Sequence, residues 1–331
     1  MWLFHSQCTS KTRLVGKTVV ITGANTGIGK ETARDLYRRG AKVILACRNI
    51  EKAYDALEDI KNNPPSRPDR EQFRGNPGEL AIYQLDLSSL TSIRECAKNL
   101  LAKESAIHLL INNAGILTTK QERTEDGFEL QLQTNYIGPF LLTLLLLPKI
   151  QSSTPGCRIV NVSSIMHTFG AIHDDLNLEN SYNPIRAYMQ SKLANILFTR
   201  ELVRQLKETN IEGINVYSLH PGVITTELTR HFENAFSIVR YLYAIAGYLK
   251  QPFIKNPEQG AQTTIYCSID ETAAYETGLY YKECGVATPT RQAQDDQMAK
   301  NLWNRTCLLL GLKPDQDLAT LLKDVSRLIA E

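Results

Sequence analysis

The stretch Thr18-Val-Val-Ile-Thr22-Gly-Ala-Asn-Thr-Gly-Ile-Gly29 passes from a β-branched run straight into a turn holding three glycines. The run 18–22 is apolar without alternation, which suits a strand covered on both faces. Residues 30–39 follow with helical character, so the glycines mark a tight strand-to-helix turn. Gly23 permits the sharp reversal, Gly27 lets the backbone approach a pyrophosphate, and Gly29 allows close packing of helix on strand. The unpaired N–H groups of the helix N-terminus, with Asn25, Thr26 and Ile28 in the same loop, then face the phosphates.

Working outward, the runs 42–46, 80–84, 109–111, 158–162 and 214–218 repeat the strand character at intervals filled by helix-like segments. Strand-helix-strand repetition at this spacing predicts an α/β fold, a Rossmann-type doubly wound parallel sheet. The run 278–281 could supply a seventh strand. We expect a single sheet-centred domain and a C-terminal helical extension over 286–331, with helices at 291–310 and 315–330. Residues 130–148 carry no charge, yet polar residues crowd their start and Gly138-Pro139 interrupts them, so a buried core helix is expected rather than a membrane span. Residues 62–78 hold four prolines and two glycines, the composition of a mobile surface insertion.

Composition narrows the partners. The 331 residues are 43% hydrophobic and 22% charged, enough for a large core and too few charges for disorder. Thirty-seven basic against 35 acidic side chains leave a net charge of +2, too weak a field to suggest nucleic acid or an anionic membrane as the main partner. Seven cysteines without a CxxC pair argue against a disulfide framework or zinc knuckle and for a reducing compartment. The start, Met1-Trp2-Leu3-Phe4-His5-Ser6, reads as neither signal peptide nor transmembrane anchor, so the expected location is cytoplasmic.

Two further signals carry chemistry. The second strand ends Ala46-Cys47-Arg48, where an NAD-preferring fold places a carboxylate for the ribose 2′-OH. Cys47 cannot replace that acceptor, whereas Arg48 can clamp a 2′-phosphate, so NADP(H) is the expected cofactor. Tyr188-Met-Gln-Ser-Lys192 sets a phenol and an ammonium at i and i+4, on one helix face. A neighbouring ammonium favours the phenolate, which would let the phenol exchange protons nearer neutral pH.

TGxxxGIG at 22–29, Asn112-Asn113-Ala114-Gly115, Asn135, Ser163-Ser164, YxxxK at 188–192 and Pro221-Gly222 stand in the order found in the short-chain dehydrogenase/reductase superfamily, which the chain resembles over about 13–285. The resemblance implies a catalytic set of Ser164, Tyr188 and Lys192, completed by Asn135. It also implies that Asp86, with Leu87, meets the adenine and that Asn113, Ala114 and Gly115 line the cofactor. Pro221, Gly222, Val223 and Thr225 would hold the nicotinamide end, Val223 and Thr225 at its amide. Tyr188 would exchange the proton with substrate oxygen, Ser164 would hydrogen-bond that oxygen, and Lys192 would hold the cofactor ribose. Asn135 would fix a water leading to Lys192.

Tyr188 stands 24 residues after Ser164, a long gap for the superfamily. With His167-Thr-Phe-Gly170, Ala46-Cys47-Arg48-Asn49 and His220-Pro-Gly-Val223, it is similar to the retinol dehydrogenase branch. Members act on retinoids and other lipid aldehydes or ketones, typically with NADP(H). The resemblance implies a retinal reductase or retinol dehydrogenase taking a small lipophilic carbonyl or alcohol. The alternatives are a carbonyl reductase or steroid dehydrogenase on the same machinery, or a catalytically idle binding or scaffold protein. The segment at about 226–256, with Phe236, Tyr241, Tyr243 and Tyr248, falls where the superfamily builds a substrate lid, and it could touch an intracellular membrane peripherally. A homodimer through the helix at 140–147 and its neighbours is a further expectation from the resemblance. No metal is expected, because the tyrosine chemistry needs none, despite His167, His173, Asp174 and Asp175 standing close in sequence.

Overall fold

The computed structural model describes residues 6–66, 70–224, 254–314 and 316–329. Strands β1 (Thr18–Thr22), β2 (Lys42–Cys47), β3 (Glu79–Gln84), β4 (Leu109–Asn112), β5 (Cys157–Val162) and β6 (Ile214–His220) are parallel neighbours in one sheet. The short strands β7 (Val223–Ile224) and β8 (Ile254–Lys255) pair separately. Strand β9 (Tyr280–Lys282) extends the main sheet in parallel beside β6, and β10 (Gly285–Ala287) closes it antiparallel. The order β10-β9-β6-β5-β4-β1-β2-β3 is doubly wound, reversing direction between β1 and β4. The expected seventh strand is therefore present as β9. The β10 return was not anticipated, because three residues carry too little periodicity to read.

Helices α1 (Gly27–Arg38), α2 (Ile50–Asn62), α3 (Leu90–Lys103), α4 (Leu130–Ser152), α5 (Pro184–Glu208), α6 (Pro257–Ile269), α7 (Asp296–Leu309) and α8 (Leu318–Arg327) cover the sheet on both faces. Side chains of α1, α2 and α6 share one apolar layer with Val19, Ile21, Val43 and Leu45. Side chains of α3, α4, α5, α7 and α8 share the other with Val20, Ile44, Leu110 and Ile159. Alternate residues of β1 thus enter opposite cores, which is why its run is apolar without a break. Local signals set the helix starts: Asn49, Ser89, Asn183 and Asp295 each accept an amide of the following turn. Asn256 and Gln259 form a reciprocal capping box ahead of α6.

Helix α4 is the apolar segment whose length raised a membrane span. Every residue from 131 to 147 is buried, with Gln131 donating to the Pro184 carbonyl at 3.0 Å and Asn112 donating to Thr143 at 3.0 Å. It is a core helix. The side chains of 140–147 pack under α3, α7 and α8 of the same chain. Trp303 of α7 lies edge-on to Phe140 at 4.8 Å and stacks on Phe198 at 6.0 Å, joining the extension to α4 and α5.

The insertion also differs from its expectation. Its described residues fold against the domain: Arg13 donates to the carbonyls of Gln72 at 3.1 Å and Asn76 at 2.7 Å, and Ser66 donates to Glu258 at 2.8 Å. The Arg39 guanidinium lies over the Phe73 ring, and Pro65 and Gln72 are buried. Proline and glycine make the backbone irregular, and side chains remote in sequence satisfy its carbonyls.

Candidate active site

The chain reversal between β1 and β4 opens a crevice at the carboxyl ends of the strands, where α/β folds place ligands. A cavity of about 470 Å³ occupies it, lined by the loops after β1 through β6 and by one face of α5. Of the residues singled out from sequence, Gly23, Asn25, Thr26, Gly27, Ile28, Gly29, Arg48, Asp86, Leu87, Asn113, Ala114, Gly115, Ser164, Tyr188, Lys192, Pro221, Gly222 and Val223 all line this one cavity. Asn135 stands behind the wall. Thr225 and most of the 226–256 segment, with Phe236, Tyr241, Tyr243 and Tyr248, lie outside the described residues.

The glycine turn has the shape a pyrophosphate requires. Gly23 and Gly27 take φ of 65° and 55°, in the left-handed region. A Cβ on Gly29 would come within 2.5 Å of both the Gly23 carbonyl and the Asn113 amide nitrogen, so a side chain there would force the loop open. Thr22 Oγ1 accepts the amides of Asn113 and Ala114, each at 3.0 Å, tying the β1 turn to the β4 turn. Thr26 opens α1 without capping it through its side chain, leaving first-turn amides available to an anion. These features fit a dinucleotide.

At the far end, Arg48 and Lys52 line the cavity, and both are exposed. Among the described residues neither has a carboxylate partner. Lys52 was not anticipated; its signal is its place in the first turn of α2, three residues after the Asn49 cap. Asp86 is oriented by Ser88, whose amide donates to its Oδ1 at 2.9 Å.

At the near end, Ser164 caps the short turn Ile165–Phe169: its Oγ accepts from the Met166 amide at 3.2 Å, leaving the hydroxyl hydrogen for another acceptor. Tyr188 and Lys192 sit one turn apart on α5, the ammonium 5.6 Å from the ring centre. Lys192 Nζ donates to the Val162 carbonyl at 3.1 Å, and a Cβ on Gly115 would lie only 3.1 Å from it. Burial acts on both groups. It pushes the Tyr188 phenol up, opposed by a hydrogen bond with Ser164, and pulls the Lys192 ammonium down to about 8. Burial of the phenol acts against the draw expected from Lys192.

Asn135 lies in a single π-turn, Gln133–Ile137, within α4. Its Oδ1 accepts the Ile116 amide at 2.8 Å, and its Nδ2 donates to the Ile116 carbonyl at 2.9 Å and to Ser191 Oγ at 3.0 Å. The side chain thus pins the β4 loop to α5. Sequence reasoning also passed over His220 and the apolar lining of Leu117, Ile165, Met166 and Ile185. Their signal is adjacency to the reactive residues, which no motif spells out. His167 and His173 diverge: His167 is buried against Tyr280, while the His173 amide donates to Gln190. Among the described residues, no cluster of His, Cys, Asp or Glu could hold a metal ion.

The short chain dehydrogenase family matches residues 17–235. The chain belongs to this family of nicotinamide-dependent oxidoreductases. Its sequence is 45% identical to human (Homo sapiens) retinol dehydrogenase 11 over 309 residues, covering 93% of this chain and 90% of that protein. Human retinol dehydrogenase 13 is 42% identical over 308 residues, covering 92% and 88%. These similarities put it in the retinol dehydrogenase branch. Among solved structures, an uncharacterized protein from Mycobacterium Paratuberculosis aligns with a TM-score of 0.68 at 33% identity, covering 92% of this chain and 97% of that one. The Pseudomonas aeruginosa RhlG/NADP active-site complex aligns with a TM-score of 0.63 at 25% identity, covering 82% and 96%.

Proposed function

We propose that this protein is an NADP(H)-dependent oxidoreductase that interconverts a hydrophobic aldehyde or ketone and its alcohol, with all-trans-retinal and retinol as the leading pair. The observation that carries this reading is the layout of one cavity: Ser164, Tyr188 and Lys192 at one end, the cations Arg48 and Lys52 at the other, and the glycine turn between. Likeness to retinol dehydrogenases and to a solved NADP complex supports the substrate class and the cofactor.

The glycine turn and the α1 amides would hold the pyrophosphate, and Arg48 with Lys52 the 2′-phosphate. Asp86 and Leu87 would meet the adenine; Asn113, Ala114 and Gly115 would line the middle; Pro221, Gly222, Val223 and Thr225 would hold the nicotinamide end. NADP(H), when bound, supplies or accepts the hydride. During reduction Tyr188 gives its phenolic proton to the carbonyl oxygen, and during oxidation it takes the alcohol proton. Ser164 donates to the same oxygen as its charge grows. Lys192 places positive charge beside Tyr188 and offers donors to a ribose, helped by the missing side chain at Gly115. Asn135 holds the loop that carries Gly115 and Ile116. Leu117, Ile165, Met166 and Ile185 give an apolar wall suited to a lipid-like substrate. We take 13–285 as the catalytic unit, with the lid at about 226–256, and 286–331 as an extension bracing its helices.

The test is NADPH consumption with all-trans-retinal, medium-chain aldehydes and ketosteroids measured in parallel. Retinal should be turned over best. Tyr188→Phe should lose turnover by at least about a thousandfold while still binding NADPH. A preference for ketosteroids would move the assignment to a steroid dehydrogenase. Full activity of the phenylalanine variant across the panel would remove the tyrosine mechanism.

A further inference from the structure

Two histidines grip a single peptide unit next to the proposed reaction centre. His220, the last residue of β6, accepts the Ile165 amide on its Nδ1 at 3.0 Å. His167 has its Nδ1 at 2.7 Å from the Ser164 carbonyl oxygen, a contact that needs the proton on that nitrogen. The Ser164 carbonyl and the Ile165 N–H are the two ends of one peptide plane, held from both sides. Both rings are buried, at 4% and 3% exposure. His220 also lines the cavity and directly precedes Pro221 and Gly222.

We propose that His220 is a positioning residue for the reaction: with His167 it locks the Ser164–Ile165 peptide so that the Ser164 hydroxyl stays aimed at Tyr188. The inference rests on the functional reading above. Rotation of that peptide would swing Ser164 away, and an ångström of misplacement is enough to lose orientation. His220 can accept the amide only while neutral. Burial, joined by the charges of Lys282, Lys255 and His167, holds its pKa down to about 3, so the acceptor persists through neutral pH.

The test compares side chains that do and do not offer an acceptor at the Nδ1 position. With retinal and NADPH, His220→Leu should lower kcat by about 10- to 100-fold, while NADPH dissociation measured by fluorescence stays within about twofold. His220→Asn, whose amide oxygen can take the place of Nδ1, should recover to within about threefold of wild type. His220→Gln, which reaches too far, should remain impaired and serves as the contrast if the leucine variant fails to fold. In a Ser164→Ala background, leucine or glutamine at 220 should add less than about twofold, because the clamp then has nothing left to position. Losses that multiply in that background, or equal impairment of the asparagine and glutamine variants, overturn the proposal. Full turnover by Ser164→Ala alone would instead bring down the functional reading, and the clamp with it.

Discussion

At the scale of single residues, the site is built from groups whose burial costs energy. Lys192 is 4% exposed and meets one carbonyl at 3.1 Å, so its ammonium is poorly compensated. With its pKa pulled to about 8 from 10.5, the folded state sheds the proton before the unfolded chain does. Wild-type stability therefore rises as pH climbs from about 8 to about 10.5, and below that window the buried charge is a net cost. Lys192→Met should be more stable than wild type at neutral pH by about 1–3 kcal/mol, with the gap closing toward pH 10. Denaturant melts at several pH values check this; a destabilised methionine variant would show that the ammonium is paid for by partners. Arg48 belongs to the same scale. Because it and Lys52 lack carboxylate partners among the described residues, Arg48→Ala should weaken NADPH binding by about tenfold or more while leaving NADH nearly unchanged. Steady-state KM values for both cofactors measure that ratio.

At the scale of elements, helix α4 explains how a segment apolar enough to cross a membrane serves a globular core. Gln131, Gln133 and Thr143 find partners on neighbouring segments, and its π-turn sets Asn135 against Ile116 and Ser191. A uniform helical pattern gives no hint of such a turn, because the inserted residue answers to contacts from the β4 loop and α5 rather than to local propensity. Helix α7 completes the packing with Trp303 between Phe140 and Phe198, and Tyr136 shares a 2.7 Å hydrogen bond with Thr306. Trp303→Ala should cost about 3–5 kcal/mol, since the hole it leaves is walled by three elements that cannot all collapse. A melting-temperature drop with an unchanged NADPH dissociation constant is the expected pattern, the cavity lying elsewhere.

At the scale of the whole molecule, the parts legible in sequence are those written in short windows. The glycine turn, the Tyr188–Lys192 spacing and the buried strand runs each depend on residues a few positions apart; the first two meet in one cavity at the strand ends. What stayed hidden depends on residues far apart in the chain. Lys52 and His220 join the site because α2 and β6 end at the same crevice as β1. The insertion is held by Arg13 and Glu258 from distant segments, so its composition read as mobility although its carbonyls are engaged. The 140–147 side chains of α4 are covered by α7 and α8, which come from the far end of the same chain. The sequence by itself determined the doubly wound sheet and the glycine turn, because apolar period, β-branching and glycine freedom act locally. Tertiary structure alone decided which remote side chains stand behind Ser164 and which surfaces remain open, because those are settled by packing between segments with no common local pattern.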